Sequence, residues 1–190
     1  MEKGTWGYMD SMKKAKARST MILAVIVVVL ILVVFFISGT VRNLAIAIPL
    51  LMMIPTANIM VQWIVIVRFQ SLKEEEQETI EEHLAGRANC VILYDMALSS
   101  TESVSFAPCL VINQGNIYLL WGGSNDKKYD ERKQQEYVQG LIIKTAYNYQ
   151  AYTVHSVEEL IKAVEAAPVA AEDRMQQCEH LKKRLMDISF

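Results

Sequence analysis

The stretches STMILAVIVVVLILVVFFISGTV (residues 19–41) and NLAIAIPLLMMIPTANIMVQWIVIV (residues 43–67) carry no charged side chain, and only Arg42 separates them. They are 23 and 25 residues long. A hydrocarbon core about 30 Å thick is crossed by roughly 20 apolar residues of helix. Each run is long enough to span, and the short link makes the two spans antiparallel neighbours. The pattern therefore predicts a membrane α-helical hairpin followed by a soluble region of about 120 residues. A cleaved signal peptide is the competing reading. The apolar run is long for that role, and Ile37-Ser38-Gly39-Thr40 is a poor small-x-small cleavage site.

Charge divides the chain in the same way. Residues 1–18 hold five Lys/Arg against two acids, a net of +3, and residues 68–190 hold 13 Lys/Arg against 19 Asp/Glu, a net of −6. The basic segment, with Lys13, Lys14, Lys16 and Arg18, suits an anionic lipid surface. Five cationic residues precede the first span and one, Arg42, lies between the spans. Counted by the positive-inside rule, this bias predicts a multi-pass protein of the cell membrane with both termini in the cytoplasm. The acidic remainder is a poor nucleic-acid binder, because such binding rests on neutralising phosphates.

Four segments follow: a basic cytoplasmic arm (1–18), the two-helix hairpin (19–67), an acidic juxtamembrane helical stalk (68–86) and a cytoplasmic α/β domain (87–190). In the arm, Trp6 and Tyr8 suit the headgroup level. In the second span, Asn58 and Gln62 lie four apart on one helix face, so they predict intramembrane polar contacts to the first span or to another copy. The sharper alternative is a polar pathway, but neither span holds an ionisable residue. In the stalk, Leu72, Ile80 and Leu84 recur near helical spacing among six glutamates, and Gly86 ends it.

Beyond the stalk, CVILYD (90–95) reads as a buried strand with Asp95 at its end, and residues 99–105 as a polar connection. Residues 106–112 and 117–121 flank Asn113-Gln114-Gly115-Asn116, a hairpin signal. Gly122-Gly123-Ser124-Asn125 breaks the third strand, and Ser124 or Asn125 is placed to cap a helix running to about Tyr147. A short strand (150–155) follows. Ser156-Val-Glu-Glu159 is a capping box for the next helix, which Pro168 stops, and a last helix over about 170–186 buries Met175, Cys178, Leu181 and Leu185. The long helix between the third and fourth strands predicts a parallel crossover. The fold class is thus a membrane hairpin plus a small α/β domain with a mixed sheet of about four strands and packed helices.

The candidate chemistry is sparse. Asp95 is placed where open α/β sheets gather ligands, at a strand's carboxyl end. Gly122, Gly123 and Ser124 precede a helix N-terminus and could present backbone N–H groups to an anion, although neither a Walker A loop nor a GxGxxG fingerprint is present. No GxSxG elbow accompanies His155, and the strand 117–121 lacks the acid and Lys of a nuclease metal site. No catalytic residues are assigned. Cys90, Cys109 and Cys178 form no CxxC pair, the three histidines show no ligand spacing, and no metal or cofactor is expected.

The stretches IPTANIMVQWIVIVRFQSL (54–72), LYDMAL (93–98) and HSVEELIKAV (155–164) resemble a family of small bacterial two-span membrane proteins with a cytoplasmic α/β domain. The resemblance covers most of residues 44–167. It implies architecture and carries over no functional residues. Members sometimes bear an automatic likeness to O-linked N-acetylglucosamine transferases. This chain shows no tetratricopeptide repeat and leaves no room for a glycosyltransferase domain. The expected function is a non-enzymatic, membrane-tethered cytoplasmic binding or regulatory module that binds a protein partner or senses a small ligand, with the lipid bilayer and a protein partner or a second copy of the chain as its expected partners. A small membrane-anchored enzyme or ligand sensor with a strand-end site near Asp95 is the alternative.

Overall fold

The computed structural model describes residues 2–38, 47–84, 86–87, 90–100, 103–113, 115–124, 130–143, 149–167 and 175–189. The chain divides into two compact units, one of residues 10–68 and one of residues 1–9 with 69–190.

The first unit is built on α1 (Tyr8–Ser38) and α2 (Ala47–Val67). Both are long and apolar enough to cross a membrane, and only 6 % of the most apolar window of each is buried. A core helix of a soluble protein would be mostly covered, so exposure separates these helices from that class. Lys16, near the start of α1, donates to Gln62 Oε1, near the end of α2, at 2.6 Å. That contact makes the helices antiparallel. The turn expected at Ser38-Gly39-Thr40 falls largely outside the described residues. Pro55 lies inside α2 and removes one helix donor. The Thr56 hydroxyl next to it bonds back to Met52 O at 2.9 Å, which keeps a polar group satisfied within the helix.

The second unit is a four-stranded mixed sheet with helices on both faces. β1 (Cys90–Ser99), β2 (Val104–Asn113), β3 (Asn116–Leu120) and β4 (Gln150–Val154) lie in the order β1-β2-β3-β4. β1–β2 and β2–β3 pair antiparallel, and β3–β4 pair parallel, as the crossover predicts. Asn113 pairs with Asn116 across the hairpin, where Gly115 takes a φ of 108°. One sheet face packs Leu93, Leu110, Leu119 and Ala151 against α4 (Glu131–Ile143) and α6 (Met175–Ile188). The other packs Tyr94, Val111, Tyr118 and Val154 against α3 (Glu74–Leu84) and α5 (Val157–Ala166). Because both faces are covered, β2 is buried along its whole length.

Several expectations are corrected here. The acidic segment is not a solvated stalk extending α2. The helix breaks after Val67, and α3 is a separate element whose Ile80 and Leu84, one turn apart, are fully buried in the domain. Nor are residues 1–18 one arm. Residues 2–9 belong to the domain, and α1 begins at Tyr8. Trp6 donates its indole N–H to Leu72 O at 2.9 Å rather than facing headgroups. Asp130, not Ser124, caps α4, its carboxylate accepting from Lys133 N at 3.1 Å. Asn125 and the expected helix end at Tyr147 lie outside the described residues, as does Pro168. In α6, Cys178, Leu181 and Leu185 are buried as expected, but Met175 is exposed, because the described helix begins there.

Candidate functional site

Asp95 stands in the middle of β1, not at its end. Val91 and Leu93 face the α4/α6 side, and so do Met96 and Leu98. Strict alternation would put Met96 on the opposite face from Leu93. β2 makes the same three-residue step between Ala107 and Leu110. Each strand thus carries one extra residue at the same level, Asp95 in β1 and Pro108 in β2, and the register closes again with Tyr94 opposite Cys109 and Met96 opposite Ala107. Pro108 has no N–H to give the ladder. Asp95 adopts φ 54°, the left-handed region that Asp tolerates better than most residues.

This double bulge turns the Asp95 carboxylate toward the outer edge of β1. It is 2 % exposed. Its Oδ2 accepts from Met9 N at 3.0 Å and from Ser71 Oγ at 2.9 Å. Met9 lies in the first turn of α1, and Ser71 lies four residues after α2 ends. One buried carboxylate therefore holds both segments that lead into and out of the two apolar helices. Around it, Tyr94 N donates to Gly4 O at 2.9 Å, Lys3 donates to Ser189 O at 2.7 Å, and Phe69 stacks on Phe106 with ring centroids 5.1 Å apart. Residues 2–9 thereby cover part of the unpaired edge of β1.

Gly122 and Gly123 continue the pairing of β3 with β2. Gly122 N donates to Phe106 O at 2.9 Å, Phe106 N donates to Gly123 O at 2.8 Å, and Ser124 bridges Ser105. The Ser124 hydroxyl donates to Val104 O at 3.2 Å. The Gly122 amide is thus engaged in the sheet. A Cβ on Gly122 would stand 2.5 Å from Pro108 Cδ and 2.6 Å from Phe106 Cδ1, so the close approach at the bulge requires glycine. The structure does not bring Asp95 and Gly122–Ser124 together through any described hydrogen bond. Asn58 and Gln62 do meet, Gln62 Nε2 donating to Asn58 Oδ1 at 3.4 Å, and Gln62 also holds Lys16.

Sequence reasoning missed the second feature, a cleft at the carboxyl ends of β3 and β4. The chain leaves β3 for α4 on one face and leaves β4 for α5 on the other. Between diverging connections an open α/β sheet leaves a crevice. Here it has a volume of about 270 Å³ and is walled by Leu120 and Trp121, by Pro108 and Leu72, and by His155 through Glu158 with Glu76. The α5 cap shapes one side. Ser156 Oγ accepts from Glu159 N at 3.1 Å, and Glu159 Oε2 accepts from His155 N at 2.8 Å. Hydrogen bonds from its own backbone N–H and from Ser156 hold the Glu158 carboxyl below the usual carboxylate range. His155 Nε2 lies 3.2 Å from Glu131 Oε2 at the start of α4. The signal was available in the parallel crossover followed by a capping box, but it needed the knowledge that α4 and α5 take opposite faces. A smaller cavity of about 180 Å³ between α4 and α6 is lined mainly by leucine and isoleucine.

Burial disfavours the thiolate at Cys90 and Cys109. It pushes Cys90 up to about 11 and pushes the fully buried Cys109 higher still. Among the described residues no three His, Cys, Asp or Glu side chains gather as a metal set. The chain matches no protein-family model, no curated protein and no solved structure.

Proposed function

We propose that this chain is a two-pass protein of the cell membrane, with both termini in the cytoplasm, whose α/β domain is a tethered binding or regulatory module. We place it, on architecture alone, with the small bacterial two-span proteins that its sequence resembles. The observation that carries the reading is the Asp95 clamp. A merely anchored enzyme would need only a flexible link to its spans. Here a buried carboxylate ties Met9, in the first turn of α1, and Ser71, four residues past the end of α2, to the edge strand β1. The orientation rests on the five cationic residues before the first span against one between the spans. The acidic domain supports a protein or small-molecule partner over nucleic acid. The ligand-sensor variant of this reading is favoured by the cleft at the ends of β3 and β4.

Topology provides the test. A membrane-impermeant maleimide added to whole cells should label Thr40→Cys. A reporter fused after Phe190 should score as cytoplasmic, and the chain should resist carbonate extraction. External labelling of the C-terminus overturns the orientation, and release by carbonate overturns the membrane assignment. For the regulatory part, ligands captured by the intact protein in native membranes should differ between wild type and Asp95→Ala. Identical capture removes the coupling role.

A further inference from the structure

We propose that the cleft between the carboxyl ends of β3 and β4 binds an ammonium group, on a small amine or on a lysine side chain. The argument is one of elimination followed by complementarity. A helix N-terminus in a crevice ordinarily suggests an anion. In this cleft three backbone amides are already engaged: His155 N on Glu159 Oε2, Glu159 N on Ser156 Oγ, and the Glu158 amide on its own carboxylate. An incoming anion would have to displace carboxylates and then sit beside them. The described lining contains no Lys or Arg to help it. Lys162, one turn along α5, acts on Glu158 from outside that lining.

What the cleft offers is the opposite set. The indole of Trp121 stands in one wall with Leu120 and Pro108, and Glu76 and Glu158 supply negative charge on the others. An aromatic ring in the same wall system as carboxylates is a composition that suits alkylated ammonium groups, which draw on cation–π attraction and charge together. The volume of about 270 Å³ fits one such group with a short alkyl stem, and is below the range that takes a nucleotide-sized ligand. The net charge of −6 over residues 68–190 steers cations toward the domain. The inference stands whichever side of the membrane the domain occupies.

The experiment uses the full chain in lipid nanodiscs with indole-¹⁵N tryptophan, whose three signals report Trp6, Trp63 and Trp121. Tetramethylammonium chloride, Nα-acetyl-lysine amide and inorganic phosphate are titrated separately against sodium chloride of equal ionic strength. The Trp121 signal should move saturably with an ammonium probe and not with phosphate. Preference between the two ammonium probes tells a free amine from a lysine side chain. Glu76→Gln/Glu158→Gln keeps an oxygen acceptor for Lys73 N, which donates to Glu76 Oε2 at 3.0 Å, and for the Glu158 amide. It should weaken binding about tenfold while the Trp6 signal stays in place as a measure of folding. A Trp121 signal indifferent to both ammonium probes, one that answers to phosphate instead, or unchanged affinity in the folded double variant overturns the proposal.

Discussion

Ser71 donates its hydroxyl to Asp95 Oδ2 at 2.9 Å, across 24 positions of sequence. The same oxygen accepts Met9 N at 3.0 Å. Buried acceptors that serve two donors are costly to remove, because each donor is then left without its partner away from water. Asp95→Ala removes the acceptor and also places alanine at φ 54°. It should cost about 2–4 kcal/mol. Asp95→Asn keeps one oxygen and tolerance of the left-handed region, and should cost about 1 kcal/mol. Thermal unfolding of the full chain in micelles, followed by circular dichroism, measures both. An Asp95→Ala protein as stable as wild type would remove the clamp from the argument.

How much of this was legible in the sequence depends on the kind of signal. The two apolar runs, the Asn-Gln-Gly-Asn hairpin and the Ser156 capping box are local patterns, and each appears where its residues predict. The sequence pattern puts Asp95 at a strand's carboxyl end, and the structure puts it in the middle of β1. The reason lies in Pro108, a proline inside an apolar run that otherwise reads as a central strand. Read as a bulge, Pro108 would have extended both strands past Asp95. The clamp itself joins residues 9, 71 and 95, and no periodicity relates them. The acidic segment misled for another reason. Six glutamates dominate its composition, while burial is decided by Ile80 and Leu84 alone.

Gly122 tests the bulge from the other side. In Gly122→Ala the new methyl meets Pro108 Cδ at 2.5 Å, and a proline ring in a buried strand has little room to yield. Overpacking of this kind costs about 1–3 kcal/mol. Pro108→Ala in the same chain should recover part of that loss, since it removes the clashing ring. Gly123→Ala meets nothing within 4 Å, yet its φ of 99° still penalises a Cβ. A drop in unfolding midpoint for Gly122→Ala that Pro108→Ala deepens rather than relieves would contradict the contact.

Alkaline pH should loosen the domain. Burial raises Cys90 to about 11 from an ordinary thiol value of 9.0. It raises Cys109 and Tyr94 as well. The unfolded chain therefore gives up thiol protons before the folded one does. Stability is fully present below pH 9 and declines as pH climbs toward the folded value. The unfolding midpoint should fall between pH 9 and 11 on this account. Over the same range, alkylation of Cys90 by iodoacetamide should accelerate about tenfold per pH unit, following its thiolate fraction. A rate that levels off near pH 9 would show that Cys90 titrates as an ordinary thiol.

Residues 2–9 close the β1 edge through a small number of contacts, and Trp6 is the largest of them. Its indole N–H bonds Leu72 O at 2.9 Å, and its ring packs against the cluster that α3 and α5 form on the sheet. Trp6→Phe keeps most of the packing and loses one hydrogen bond, for about 1 kcal/mol. Trp6→Ala loses both, for about 3 kcal/mol or more. The informative readout is local. Tyr94 N is held by Gly4 O at 2.9 Å, so its amide exchange reports whether the segment is seated. Hydrogen–deuterium exchange at Tyr94 should rise at least tenfold in Trp6→Ala, because local opening draws on the weakest contacts first. Leu110, fully buried in β2, should keep its protection. Equal acceleration at both sites would mean that the domain opens as a whole. Unchanged exchange at Tyr94 would mean that Trp6 does not hold the segment on the edge.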